Sequence, residues 1–228
     1  MDIGFALSAH SAYAPENFEK MKDFIHSIVD QYSIGRVKYA LVVYGADAEV
    51  SFDFQREFPK DEDLHRSLEL LKPVKGGSNL EEGLKKDQEL FTANGTRPNA
   101  HKVLVVFTDS KSTGDSKRAE AIAKKLKDDN IKVIAVGLGG QSDLNELDDV
   151  ATDRRHVIPA KRTDDMEQLT KDVMALAFEG IGCDRSSIFR PIGCLRNRGW
   201  CSDESTWFPL TVNEFLSFLA LTLNLVRA

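Results

Sequence analysis

Four residues that follow two apolar runs could take part in chemistry if the fold brings them together. Ser8, His10 and Ser11 supply two hydroxyls and an imidazole, and Asp109 supplies a carboxylate. Such a set could serve a hydrolase, in which a base activates a serine nucleophile. The chain has no Gly-x-Ser-x-Gly elbow to present that nucleophile, so hydrolysis is not predicted. We therefore predict no catalytic residue and no enzymatic activity.

Ser78 and Asp109 also have structural interpretations. Ser78-x-x-Glu81 reads as a capping box at the start of a helix that contains Leu84. Asp109 ends an apolar run, where a carboxylate can accept hydrogen bonds from loop amides. For both residues, the structural role and a binding role remain open alternatives.

Short apolar runs predict the strands that would position these residues. The runs are rich in Val and Ile and apolar on both faces, which is typical of buried parallel strands. The predicted strands are Ile3–Leu7, Tyr39–Tyr44, Val103–Thr108 and Ile131–Val136, with a weaker one at His156–Pro159.

Helical periodicity separates most of these strands. Apolar stripes at helical spacing run from Phe18 to Tyr32, from Leu64 to Leu71, from Ala119 to Leu126 and from Met166 to Leu176. The segment Glu49–Phe54 follows its preceding strand after so short a link that an antiparallel edge hairpin is favoured. The fold class predicted is a doubly wound α/β sheet, mostly parallel, with one antiparallel edge strand and helices on both faces. Ligands of such sheets bind at the carboxyl ends of the strands.

Three stretches resemble the von Willebrand factor type A domain family. The first is the opening strand Asp2-Ile-Gly-Phe-Ala-Leu7, and the second is the loop Lys75-Gly-Gly-Ser-Asn-Leu80. The third is the run Val103-Leu-Val-Val-Phe-Thr-Asp109, a strand that ends in an aspartate. Their order and spacing, which span nearly all of residues 1–178, match the family.

The resemblance implies a metal-ion-dependent adhesion site above the sheet, but this sequence departs from it. The family's first aspartate aligns with Ser8, and its two serines align with His10 and Ala12. Only Ser78, in place of a threonine, and Asp109 keep suitable oxygens. Mg²⁺ prefers six oxygen ligands, and an imidazole suits Zn²⁺ or Cu²⁺ better. We therefore expect no cofactor and regard Mg²⁺ or Mn²⁺ as disfavoured. If an ion does bind, Ser78 and Asp109 are its predicted ligands. Ser8 and His10 would be lesser ones.

Composition predicts two regions, a von Willebrand factor type A domain over 1–178 and a tail over 179–228. The last lysine is Lys171, whereas both tryptophans and all three cysteines come later. Such a tail is typical of a truncated disulfide-rich module, and the alternative is a reduced, poorly ordered extension. The odd number of thiols leaves their pairing open. The cysteines are Cys183, Cys194 and Cys201.

Two further features concern the cell compartment. Asn94-Gly-Thr96 is a glycosylation sequon that matters only if the protein is secreted. The apolar stretch 208–226 is interrupted by Asn213, Glu214 and Asn224, so a membrane span is not expected. The first residues do not resemble a secretory signal. Taken alone that predicts the cytoplasm, and a signal lost upstream is equally compatible.

These observations predict a non-enzymatic protein-binding module of extracellular matrix or cell-surface type, with weak or absent metal dependence. Its ligand would be a matrix or cell-surface protein. Nucleic acid is not an expected partner, since 30 basic against 36 acidic residues give a net charge of −6. The alternative is an intracellular scaffold of the same family within a multiprotein complex.

Overall fold

Six strands and six α-helices alternate along the chain. A computed structural model of the protein describes residues 1–9, 15–32, 34–73, 76–93, 95–160 and 166–179. The strands are β1 (Asp2–Ser8), β2 (Lys38–Tyr44), β3 (Ala48–Phe52), β4 (Lys102–Thr108), β5 (Ile131–Leu138) and β6 (Val157–Ala160). The α-helices are α1 (Pro15–Gln31), α2 (Asp61–Glu69), α3 (Leu80–Thr92), α4 (Ser116–Asp128), α5 (Leu144–Val150) and α6 (Met166–Phe178). A short 3₁₀ helix covers Arg154–His156.

The strands form one sheet in the order β3-β2-β1-β4-β5-β6. Every neighbouring pair is parallel except β2 and β3, which are antiparallel at one edge. The predicted fold class is thereby confirmed, and so is the edge position of β3. Because β1 lies between β2 and β4, the carboxyl ends of these three strands meet at one end of the sheet.

Both faces of the sheet are covered, which explains why its central strands are apolar at successive positions. On one face Phe107 of β4 packs edge-on against Phe24 of α1, with ring centroids 4.8 Å apart. On the other face Ala6 and Val106 belong to a buried cluster that includes residues of α3 and α4. Every residue of β1 is buried. Burial of such strands is the main driving force for folding.

Two sequence-based expectations about helices were wrong. The N-cap of α3 is Asn79, whose side chain accepts a hydrogen bond from the Glu82 amide, so Ser78 is not the capping residue. The capping box was predicted one residue too early, because Ser78 and Asn79 are adjacent and both residue types are good helix caps. The helix α2 ends at Glu69, which leaves Leu71 of the predicted stripe beyond its last turn.

Several predictions concern residues outside the described ranges. These include the tail 179–228 beyond Glu179, its three cysteines and the apolar stretch 208–226. The division at residue 178 coincides with the end of α6 and stays a prediction. Among the described helices, none is long and apolar enough to cross a membrane.

Candidate recognition site at the carboxyl end of the sheet

The sheet brings together three of the predicted site residues, Ser8, Ser78 and Asp109, here called the serine–aspartate cluster. Ser8 is the last residue of β1, and Asp109 directly follows β4. The Ser8 Oγ lies 3.0 Å from Ser78 Oγ and 3.4 Å from Asp109 Oδ1. Since Ser8 donates its one proton to Asp109, Ser78 must donate to Ser8. All three residues are less than a tenth exposed.

The loop that carries Ser78 is fixed by its backbone. The Asn79 amide donates to the Gly45 carbonyl at 2.7 Å, and the Thr113 amide donates to the Ser78 carbonyl at 2.8 Å. Gly77 lets the loop pass close to its neighbour, because a Cβ there would lie 2.5 Å from Thr113 Oγ1. The two glycines of the family motif therefore position Ser78 by close backbone approach.

Tyr44 supports the cluster from below, which the sequence did not suggest. It pairs with Ser8 in the parallel register of β1 and β2. Its hydroxyl donates to the Phe107 carbonyl at 2.8 Å. Burial raises the pKa of Tyr44. The phenol stays protonated at neutral pH and acts as a fixed hydrogen-bond donor.

A second buried acid, Glu146, organises the loop after β4. Its Oε2 accepts a hydrogen bond from the Ser112 amide at 3.0 Å. The Ser112 hydroxyl accepts in turn from the amides of Leu80 and Gly114, at 3.2 and 3.1 Å. Burial raises the pKa of Glu146. No feature of the sequence marks Glu146, because its role depends on where α5 packs.

The three residues of the serine–aspartate cluster do not by themselves make up a magnesium site. They supply one carboxylate, and their two hydroxyls already bond to each other and to that carboxylate. Glu146, the nearby acid, is engaged by the Ser112 amide. Within the described ranges no group of three or more His, Cys, Asp or Glu side chains could hold a metal ion. A Mg²⁺ ion needs six oxygens in nearly octahedral geometry.

Two predicted site residues cannot be placed. His10, the imidazole of the first loop, and Asn94, the sequon asparagine, lie outside the described residues. Next to Asn94, the Thr96 hydroxyl donates to the Phe91 carbonyl at 3.4 Å. The metal ligands and the glycosylation site therefore stay predictions.

Comparison with known proteins decides the family. The model of the von Willebrand factor type A domain family matches residues 2–172. The chain belongs to this family. The match covers all six strands, so the serine–aspartate cluster occupies the end of the sheet at which the family resemblance places its adhesion site.

The relatives of this von Willebrand factor type A domain are extracellular matrix and adhesion proteins. The collagen alpha-4(VI) chain of Mus musculus is 26% identical over 186 residues, which are 80% of this chain and 8% of that protein. Matrilin-1 of Gallus gallus is 30% identical over 157 residues, 67% of this chain and 31% of that protein. The chain thus spans less than a third of either relative.

Among solved structures, proximal thread matrix protein 1 from the mussel byssus is similar. Its TM-score is 0.71 at 26% identity, with 77% of this chain and 47% of that chain covered. The same mussel protein with a zinc-occupied MIDAS motif gives a TM-score of 0.70 at 26% identity, with the same coverage. The described fold is therefore shared with the solved structure of a matrix protein.

Proposed function

We propose that this domain is a non-enzymatic protein-recognition module of extracellular matrix or cell-surface type, whose binding end is organised without a divalent cation. One observation carries the proposal. Ser8 stands where the family's metal-binding aspartate is expected, and its hydroxyl bonds both Ser78 and Asp109. Hydrogen bonds between neutral and charged side chains take the place of ligand–metal bonds.

Charge supports a metal-free site. A divalent cation at the serine–aspartate cluster would face one negative charge, that of Asp109, in place of the two carboxylates of the family's pattern. The hydroxyls of Ser8 and Ser78 would also have to exchange their mutual 3.0 Å hydrogen bond for an ion contact. Hard cations bind more tightly as the number of charged oxygen ligands rises, so the loss of a carboxylate weakens binding.

Recognition would then rest on the exposed rim around the cluster. Lys111, 74% exposed at its side chain, forms an ion pair with Asp143 at 3.1 Å. Arg118 Nη1, on α4, lies 3.6 Å from Glu81 Oε1, on α3. Rim charges of both signs favour a protein partner and affect its association rate and orientation more than its affinity.

Thermal unfolding of the full chain with EDTA, Mg²⁺ or Mn²⁺ tests the metal-free site. An ion at a hundred times its Kd would stabilise the fold by about 2.7 kcal/mol. We expect no difference in Tm between EDTA and either ion, for the wild type and for Asp109→Ala alike. A Mg²⁺ shift that Asp109→Ala removes would contradict the proposal.

Partner binding tests the recognition role itself. Purified collagens and proteoglycans, the classes of molecule found in matrix, can be immobilised and titrated with the domain in EDTA and in Mg²⁺. We expect equal affinity in both buffers and weaker binding for Lys111→Glu on the rim. Lys124→Glu, an exposed change on α4, is the matched control. Binding that requires Mg²⁺ would refute metal independence, and no binding to any matrix molecule would refute the matrix role.

An extracellular location is part of the same proposal, and the tail cysteines test it. Disulfides form in oxidising compartments and are rare in the cytosol. Protein from its native source should therefore show at least one disulfide among Cys183, Cys194 and Cys201 by mass spectrometry after alkylation. Three free thiols would favour the intracellular scaffold instead.

A further inference from the structure

Two histidines face each other between α1 and α2, on the helical layer beside the sheet. His26 lies on α1 and His65 on α2, and their rings stack with centroids 4.8 Å apart. The two Nδ1 atoms lie 2.5 Å apart. The side chains are 19% and 23% exposed, so the pair is shielded but reachable from solvent.

The outer nitrogen of each ring faces a carboxylate. His26 Nε2 lies 3.2 Å from Glu69 Oε1, and His65 Nε2 lies 3.2 Å from Asp30 Oδ1. The contact between His26 and Glu69 is close enough for an ion pair, but its geometry is not that of a hydrogen bond. Attraction to a carboxylate favours the proton on Nε2, so it favours the tautomer that leaves a lone pair on Nδ1.

The two Nδ1 atoms are within hydrogen-bond distance, so without a metal one Nδ1 carries a proton and donates it to the lone pair of the other. A cation between the rings would shift that proton to Nε2 of the same ring, which faces a carboxylate. A carboxylate on one nitrogen and a free lone pair on the other is the arrangement that orients metal-binding histidines. Both rings would then have this arrangement, from two helices and around a single point. We propose that His26 and His65 bind a divalent transition metal ion of the class that prefers imidazole, such as Zn²⁺, through their Nδ1 atoms.

The coordination chemistry defines what the site would take. Zn–N bonds of about 2.0–2.1 Å put two ligands of a tetrahedral ion roughly 3.3 Å apart, so the two Nδ1 atoms would move apart by less than about 1 Å and the rings would turn toward a common point. Water or a partner's carboxylate would complete the shell, because no third metal-ligating side chain joins the pair among the described residues. Imidazole favours Zn²⁺, Cu²⁺ and Ni²⁺ over Mg²⁺.

The surroundings suit a cation whose ligands must be neutral. The pKa of His26 is lowered, chiefly by burial and then by His65, which leaves its ring unprotonated near neutral pH. Glu69, Asp23 and Asp30 oppose that shift and supply negative charge around the pair. Because the two ligands lie on different helices, the bound ion would link α1 to α2.

Zinc titration of the full chain by calorimetry at pH 7.5 tests the site. Cys183, Cys194 and Cys201 are first changed to Ser, and His10 to Gln, so that neither the thiols nor the first loop can bind Zn²⁺. We expect one Zn²⁺ per chain, and a visible absorption band of tetrahedral type when Co²⁺ replaces it. The variants His26→Gln and His65→Gln should each weaken Zn²⁺ binding by tenfold or more. His101→Gln, at an exposed histidine outside the pair, should leave it unchanged.

A further variant and the pH dependence of Zn²⁺ binding distinguish loss of the metal site from misfolding of a variant. Asp30 is 70% exposed, so Asp30→Asn should fold normally and yet weaken Zn²⁺ binding about tenfold through the orientation of His65. Binding should also weaken as the pH falls, because protons compete with Zn²⁺ for the imidazole nitrogens. Absent Zn²⁺ binding, or binding that survives both His26→Gln and His65→Gln, would overturn the proposal. These outcomes leave the metal-free recognition end untouched, since it is tested with Mg²⁺ and Mn²⁺.

Discussion

The hydroxyl oxygens of Ser8 and Ser78 lie 3.0 Å apart, although 70 residues separate them in the chain. One ends the central strand β1, and the other lies in the glycine loop that precedes α3. The contact exists because parallel strands place their carboxyl ends at one end of the sheet. It fixes this end of the sheet by buried hydrogen bonds before any partner arrives.

Restoring the family's ligand pattern should restore magnesium binding. The triple change Ser8→Asp, His10→Ser and Ala12→Ser returns one carboxylate and two hydroxyls to the first loop. Saturating Mg²⁺ should then stabilise the domain by about 2–3 kcal/mol and raise Tm by several degrees, against no shift in the wild type. Differential scanning fluorimetry in EDTA and Mg²⁺ measures this. Adding Asp109→Ala should abolish the shift, and a shift that persists would place the ion elsewhere.

Removing a buried carboxyl from α3 should stabilise the domain. Asp87 is fully buried, and neither of its carboxyl oxygens has a hydrogen-bond partner among the described residues. An unsatisfied buried group costs about 1–3 kcal/mol, so Asp87→Leu should raise Tm by several degrees at pH 7. Asp148→Asn, an exposed change on α5, is the control and should be neutral. A lower Tm for Asp87→Leu would indicate that the carboxyl makes a stabilising contact.

The stability gained by replacing Asp87 should depend on pH. Burial raises the pKa of Asp87 well above its ordinary value of 3.8. The folded chain therefore keeps this proton at a pH where the unfolded chain has lost it, and the stability contributed by the group falls as pH rises above 3.8. The free energy of unfolding in urea should thus rise more from the wild type to Asp87→Asn at pH 7 than at pH 4. An equal gain at both values would refute the raised pKa.

Breaking the ion pair at the start of β1 should destabilise the domain. Asp2 is fully buried, and its Oδ1 and Oδ2 accept hydrogen bonds from Arg97 Nε at 2.8 Å and the Arg97 amide at 2.7 Å. Arg97→Ala leaves the carboxylate with the amide alone, at an expected loss of about 1–3 kcal/mol. Arg97→Lys should lose less, because it keeps the charge. Chemical denaturation measures both, and an unchanged midpoint for Arg97→Ala would show that solvent replaces the guanidinium.

Acidification should weaken the fold through His26. Because its pKa is lowered by burial and by His65, the unfolded chain binds more protons below the ordinary value of 6.5. Stability contributed by His26 is therefore complete above pH 6.5 and is lost as pH falls through the lowered value. In EDTA, His26→Gln should lose less stability than the wild type between pH 7.5 and 5.5. Parallel losses in the two proteins would contradict this.

The sequence predicted the sheet better than it predicted the helix contacts. Runs such as Val103–Thr108 are apolar at successive positions because helices cover both faces, and that pattern is visible without a structure. The proximity of Ser8 and Asp109 could be predicted because each lies at the carboxyl end of a parallel strand. The roles of Glu146, Asp87 and the His26–His65 pair could not be predicted, because they depend on how individual helices rotate and pack. The error at Ser78 arose because two adjacent residues were both good capping residues.

The central position of β1 has a consequence for how the protein is made. Within this domain Asp2–Ser8 is synthesised before the other strands, yet one of its two neighbours, Lys102–Thr108, emerges about 100 residues later. Until then one edge of a strand that is apolar from Ile3 to Leu7 stays unpaired, and such edges favour aggregation. Assembly from contacts so distant in the chain is slow. Nascent chains that end before Thr108 should therefore depend on chaperones that hold β1 apart from other chains.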